Sequence, residues 1–449
     1  MKKLVSAALL SAGVILVTPL ATANPFSSLF KSTGHEDDPT KISSEAAAFA
    51  ETQPSWSRPF MKSLYQDGEW GAVLNLNRLG LAAMEQRQFP MARKAFDQAI
   101  ARVEAIYAED PNAVKARSAF NAEKVKDFKG EPYERAMMYY YRGLLYLEGG
   151  DYQNARAAFL AADRHDTLSS AENQAFAGDF GMMKYLAGWA SHCDGDPVRA
   201  EQLIQEAQSS DSAVKALPLL PTRSLVLVDS GPAPVKWGDG EHKHLLKFKA
   251  GDGDDAEPTL RTERGATLGA LTLAGDVTYQ ATTRGGREVD SVMAGKAQLK
   301  DTANVVGTTA FAVGTQLVQD AGLSGDRSTA TAGLAGMFIG LIAKGLENAT
   351  QPQADVRAWD TLPARVLVRA DSKSASSRIS MITAQQASPL PIQATHGACS
   401  IAWGRTRSAL PVEAGGHAVL ESGQAAEGAR GSRNRAFRAM LSTELIASE

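Results

Sequence analysis

Three times between residues 80 and 207, a glycine is followed twelve, sixteen and nineteen positions later by a small, a bulky and a small residue. Gly80 leads to Ala92, Phe96 and Ala99; Gly143 to Ala155, Phe159 and Ala162; Gly188 to Ala200, Ile204 and Ala207. The spacing predicts helix–turn–helix pairs. The glycine lets the second helix approach the first, the alanines keep the contact face flat, and the large residue fills the gap. Turn-forming residues fall between the paired positions, at Gln86–Phe89, Glu148–Tyr152 and Cys193–Pro197. These are tetratricopeptide features, but the glycines are 63 and 45 residues apart rather than the regular ~34. Further helices are therefore expected between them, at Asn112–Asn121 and Ser169–Phe180, in an irregular TPR-like array over residues 58–215.

The chain opens with a leader. Met1-Lys2-Lys3 supplies a positive start, Leu4–Val17 an apolar core, and Ala21-Thr22-Ala23 the small residues that signal peptidase needs. Cleavage after Ala23 would release a mature protein into the periplasm. The apolar core is shorter than the ~20 residues of a spanning helix, and no cysteine lies near the cleavage site for a lipid anchor. Residues 24–57 read as a linker with one short helix at Ser44–Thr52.

Beyond Asp211 the pattern changes, with Pro218 and Pro221 marking a boundary. Strands are expected at Arg223–Asp229, Val235–Trp237, His244–Phe248, Ala274–Thr282, Arg365–Arg369 and Ser400–Arg405. Between them, residues from about 291 to 346 read as a helical hairpin whose small residues, among them Gly307, Gly314, Gly336 and Gly340, allow close backbone packing. Residues 421–449 read as a flexible tail, with Arg430, Arg433, Arg435 and Arg438 clustered before a short terminal helix. The expected fold class is α plus α/β: a helical array, then a β-containing domain at 216–420 that carries the hairpin.

Without Lys2 and Lys3, 45 basic residues face 50 acidic ones. That mild acidity disfavours a nucleic-acid partner, which needs a basic face. The two cysteines, Cys193 and Cys399, reach an oxidising compartment that permits a disulfide. A chain this long does not need a staple, and Cys193 lies within a helical repeat, so a buried free thiol is the expectation.

The run from Lys126 to Ala136, with Gly130-Glu131-Pro132-Tyr133-Glu134-Arg135 at its centre and Tyr139–Tyr146 following, resembles a family of bacterial envelope proteins of unassigned function. The resemblance extends loosely through Tyr279–Arg287 and Ala354–Pro363. It implies TPR-like helices joined to a β-containing region, and a role beside LpoB, the lipoprotein activator of a peptidoglycan synthase. Many relatives look like lipoproteins, and the missing leader cysteine departs from that pattern.

Candidate sites have competing explanations. Pro132 suits the first turn of a helix, and Glu131 and Glu134 suit its N-terminus, so much of the run is explained structurally. Tyr133, Arg135, Tyr140 and Arg142 also offer aromatic and guanidinium groups of the kind that anchor interfaces. Arg284 and Arg287, on a glycine turn, could hold a partner's phosphate or carboxylate, or pair with Glu288 and Asp290. His242 and His244 are too few for a metal site. Neither a phosphate loop, a nucleophile elbow nor zinc-protease spacing occurs, so no cofactor, metal or catalytic residue is assigned.

The expectation is a non-catalytic periplasmic scaffold or adaptor that binds an envelope protein in peptidoglycan or outer-membrane assembly. Two alternatives stand: an oligomeric, membrane-associated component using the glycine-rich hairpin, and an enzyme with its site in the C-terminal domain.

Overall fold

The computed structural model describes residues 39–108, 127–167, 180–211, 213–218, 222–239, 245–253, 255–283, 355–375, 377–383, 386–411 and 431–445. It is a mixed α and β fold. Helices come first: α1 (Pro39–Glu51), α2 (Arg58–Asp67), α3 (Ala72–Glu85), α4 (Phe89–Ala108), α5 (Pro132–Glu148), α6 (Tyr152–Thr167), α7 (Met182–Cys193) and α8 (Pro197–Ser210).

The glycine-led spacing marks three packed pairs, α3 with α4, α5 with α6 and α7 with α8. Phe96 and Phe159 are fully buried, as are the six alanines that flank the bulky residues. A methyl group added at Gly80 would sit 2.8 Å from the Phe96 ring, and one at Gly188 would sit 2.9 Å from Ile204. Gly143 meets Phe159 in the same way. The segments expected at Asn112–Asn121 and Ser169–Phe180 lie outside the described residues, apart from the buried Phe180.

A five-stranded sheet follows, in the order β5 (Thr272–Asp276), β6 (Arg365–Asp371), β1 (Ser224–Ser230), β10 (Cys399–Arg405), β9 (Ile392–His396). Its central pair, β1 and β10, is parallel, with Ser224 opposite Ser400; the other neighbours are antiparallel. Side chains alternate across a strand, and here both faces are covered. Leu225, Leu227, Val366, Val368, Ile401 and Trp403 join the helices in one core. Val226, Val228, Leu367 and Ala402 form a second core with the small sheet β4 (Thr259–Thr262), β7 (Ile379–Thr383), β8 (Gln386–Pro389). A separate ribbon pairs β2 (Val235–Asp239) with β3 (Leu245–Lys249).

The tips of all three helical pairs meet one stretch of the β region. Arg87, in the left-handed conformation at φ 59°, donates from Nη2 to the Leu390 carbonyl at 3.1 Å. Tyr152 donates to the His396 carbonyl at 3.0 Å, while the His396 ring lies 2.8 Å from the Glu148 carbonyl and against Gly150. At the third tip Cys193 is disulfide-bonded to Cys399, which corrects the expectation of a free thiol. Docking of the array on the sheet edge brings the last residue of α7 to the first of β10, with Cα atoms 5.9 Å apart.

Three other expectations change. The strand foreseen at Ala274–Thr282 ends at Asp276, whose carboxylate accepts the Tyr279 N–H at 2.8 Å and starts α9 (Val277–Thr283). The linker contains a helix longer than foreseen, α1, which buries Ala46 and Ala50 and packs on α2. In the tail, residues 431–445 pack on the array instead of staying mobile: the terminal helix is α10 (Gly431–Met440), earlier than foreseen and continuing as one π turn through Leu445. Phe437, Leu441 and Leu445 are buried, the Asn434 carbonyl oxygen accepts the Glu69 N–H at 3.0 Å, and Arg102 stacks on Phe437. Those apolar groups give the tail enough contact to hold it on the array. The hairpin at 291–346, with Gly307, Gly314, Gly336 and Gly340, lies outside the described residues. Among the described residues no helix is long and apolar enough to cross a membrane.

Candidate functional site

The Gly130–Arg142 segment singled out by sequence lies where helices, sheet and the 355–363 segment converge. Pro132 opens α5, as its missing N–H favours. The Glu134 carboxylate then closes the turn by accepting the Glu131 N–H at 2.7 Å. The same carboxylate accepts Lys236 Nζ from β2 at 2.7 Å and the Trp359 N–H at 2.8 Å. Lys236 also donates to the Arg357 carbonyl at 2.8 Å and lies 3.5 Å from Glu131. One buried carboxylate thus joins a helix start, a ribbon and a connecting segment.

The next turn of α5 faces the sheet. Tyr141 donates to Asp229 Oδ2 at 2.7 Å, and Tyr140 to Oδ1 at 3.3 Å. Burial pushes the Asp229 carboxyl up to about 6, against the pull of Arg405 and the two tyrosines. Burial, and then the negative charge of Asp229, push both phenols well above their usual value.

On the opposite side of α5, Arg135 donates from Nε to His165 Nδ1 at 3.3 Å and from Nη1 to the Gly130 carbonyl at 2.6 Å. His165 is held neutral by burial and by Arg135, with its pKa lowered to about 4. Its other ring nitrogen, which carries the proton if Nδ1 accepts, lies 3.1 Å from Glu104. Arg142 forms a two-point pair with Asp97, at 2.6 and 3.1 Å, and stacks on Tyr146 at 3.7 Å.

Tyr133, Arg135, Tyr140 and Arg142 were expected to face a partner. They are at most 7% exposed and are engaged in internal contacts, so none is offered to a groove. The alternative explanation, helix packing and helix capping, accounts for them. Arg284 and Arg287 lie outside the described residues, as do His242 and His244. Sequence reasoning missed Lys236 and Asp229. Alternation along Val235-Lys236-Trp237 would bury the apolar pair and expose the lysine; the fold does the reverse, because Glu134 waits beneath β2.

That reversal sets the character of the ribbon. Trp237 is 41% and Val235 38% exposed, on the face opposite Lys236. Lys249 pairs across from Val235 and Lys247 from Trp237, with the Lys247 ammonium 5.7 Å from the Trp237 ring. Of the large apolar side chains exposed among the described residues, only Val198 lies elsewhere: Tyr279 is on α9, which packs on β3, and Val356 precedes the Arg357 carbonyl that receives Lys236. Among the described residues no group of three His, Cys, Asp or Glu side chains could hold a metal.

Comparison of this chain with family models, with curated proteins and with solved structures finds no match.

Proposed function

We propose that this protein is an exported, non-catalytic adaptor of the bacterial envelope, released by cleavage after Ala23, in which a TPR-like array and a β region present a docking face for another envelope protein. The observation that carries the reading is the β2–β3 ribbon. Its outer face displays Val235 and Trp237 beside Lys249 and Lys247, the latter paired with Asp239 at 2.6 Å, a combination of aromatic anchor and net positive charge suited to an extended, acidic partner segment with apolar side chains. Exposed aromatics of this kind commonly carry binding energy, and an unpaired strand edge can accept a further strand.

One feature bears on the non-catalytic part. The groups whose pKa values depart furthest from normal, Asp229 among them, are enclosed by their own partners. The Cys193–Cys399 bond suits an oxidising compartment. The family resemblance of the Gly130–Arg135 run adds peptidoglycan or outer-membrane assembly as the process.

The test is affinity recovery of the tagged protein from envelope fractions, comparing the native ribbon with a Val235→Glu, Trp237→Glu double variant. One envelope protein retained by the native chain and lost from a double variant of unchanged melting temperature supports the reading. Equal recovery by both would remove the ribbon as the docking face.

A further inference from the structure

The small sheet turns only one of its sides to the second core. Leu260 on β4 and Ile379 and Met381 on β7 are buried in that core. Successive side chains of a strand point to opposite sides, so Arg261 and Ser380, which lie opposite each other, are turned outward. The pairing continues past the end of β4, where the Glu263 N–H donates to the Arg378 carbonyl at 2.8 Å. The chain then turns back at Gly265, φ 84°, and the Leu268 N–H returns to the Leu260 carbonyl at 2.8 Å. Arg264 thus stands at the tip of a short hairpin. Lys373, in the connection from β6 to β7, borders the same end of the sheet as Thr262.

Arg261, Arg264, Lys373 and Arg378 are all exposed. Among the described residues, none of their charged ends has an ion-pair or hydrogen-bond partner. Elsewhere guanidinium groups are largely matched. Arg369 and Arg407 are held by Asp371 and Asp255 at 2.7 Å each, and Arg102 and Arg142 by Glu69 and Asp97. The carboxylates that flank β4 are Glu263, beside Arg378, and Glu257, before the other end of the strand. Four cations thus stand against two carboxylates, in a chain whose formal charge is −3 overall. None of the large apolar side chains exposed among the described residues, Trp237 and Tyr279 included, lies on this face. A protein partner ordinarily fastens on an apolar or aromatic anchor at the centre of its interface, and no such anchor is offered here. A strand surface with unmatched guanidinium groups instead fits negative charges spread over a plane.

We propose that the outer face of the small sheet rests on an anionic lipid surface, with Arg261, Arg264, Arg378 and Lys373 meeting the lipid phosphates. Guanidinium groups hold phosphate oxygens at two points. Each basic side chain brought to such a surface strengthens binding about fivefold, and the attraction fades within a Debye length of about 10 Å at 0.1 M salt. Contact of this kind is reversible and needs neither a spanning helix nor an inserted apolar group. The small sheet covers the side of the large sheet away from the helices, whereas the ribbon is fastened to α5 through Lys236 and Glu134. Lipid contact is therefore independent of whether the ribbon is a docking face.

The test sediments the intact, disulfide-bonded protein with vesicles of phosphatidylcholine alone and of phosphatidylcholine mixed equally with phosphatidylglycerol. The native chain should bind only the anionic vesicles, and added sodium chloride should release it. A triple variant, Arg261→Gln, Arg264→Gln and Arg378→Gln, should bind on the order of a hundredfold more weakly. Its melting temperature should be unchanged, because the three side chains are exposed and unbonded. A second triple variant, Lys62→Gln, Lys215→Gln and Arg435→Gln, loses the same charge from other exposed positions and should bind as the native chain does. Absence of native binding to anionic vesicles at low salt would overturn the proposal. So would equal binding by the native chain and the first variant, or equal losses in both variants. Retention on immobilised heparin without binding to vesicles would give the face to a soluble polyanion and overturn the lipid assignment.

Discussion

Lys236 Nζ lies 2.7 Å from Glu134 Oε2, and both side chains are 1% exposed. The pair links β2 to the first turn of α5, and the Trp359 N–H and Arg357 carbonyl complete its hydrogen bonds. Removing one partner of such a pair leaves the other charge buried and uncompensated, which costs more than the pair itself contributes.

Lys236→Met is therefore expected to destabilise the protein by about 3–5 kcal/mol. Glu134→Gln in the same chain should restore part of that loss, because it removes the stranded charge. Urea denaturation of the two single variants and the double variant measures the coupling. Additive losses would mean that the two groups do not meet in the folded protein.

The bond between Cys193 and Cys399 closes a loop across 206 residues of sequence. In the chain-entropy account a loop of that length stabilises by up to about 5 kcal/mol. Cys399→Ser should melt below the disulfide-bonded native chain, and a reductant should lower the native chain towards the same temperature while leaving the variant unchanged. Thermal melts with and without dithiothreitol check this; a native chain indifferent to reductant would show that the bond is not formed.

Gly143 faces the Phe159 ring within van der Waals contact. On helix propensity alone, Gly143→Ala should stabilise an interior helical position by about 1 kcal/mol. Overpacking against the ring should instead make it destabilising by about 1–3 kcal/mol, and Phe159→Leu should relieve much of that loss. The sign of the change in denaturation midpoint decides between an exposed and a packed glycine.

Asp229 titrates near 6 in the folded protein against 3.8 in its unperturbed state, because burial raises it. The folded state therefore holds more protons between those values. Its contribution is fully present below about pH 4 and is lost as pH rises past about 6, a swing on the order of 3 kcal/mol for two pKa units. His165 acts in the opposite sense: its pKa falls from 6.5 to about 4, so its contribution is present above pH 6.5 and lost as pH falls through 4. Asp229→Asn removes only the first component. Relative to the native chain its stability should climb from pH 4 to pH 7, which urea midpoints across that range would record. A difference that stays flat with pH would mean that Asp229 titrates normally.

Much of the helical half was legible because helix packing leaves a local record. The pairings of Gly80 with Phe96, Gly143 with Phe159 and Gly188 with Ile204 follow from spacings within a single hairpin. Most strands were legible as short apolar runs bounded by turns. The connections between elements were not. Whether Val235-Lys236-Trp237 turns its lysine inward depends on Glu134, about a hundred residues away in sequence, and nothing near Lys236 encodes it. Pairing of Cys193 with Cys399 depends on the array lying tip-first on β9 and β10, and the folding of residues 431–445 depends on a surface formed by α2 and α4. The Gly130–Arg142 run was recognised as distinctive, but its tyrosines and arginines serve the interior rather than a partner. Aromatic and guanidinium groups suit both roles, and only burial separates them.

The docking face on the ribbon is tested most directly by placing a photo-activated cross-linking amino acid at position 237 in cells, with a second at the buried position 140 as reference. The adaptor account predicts one dominant cross-link to an envelope protein from position 237 and none from position 140. Cross-links absent from position 237, or equally abundant from both positions, would contradict it.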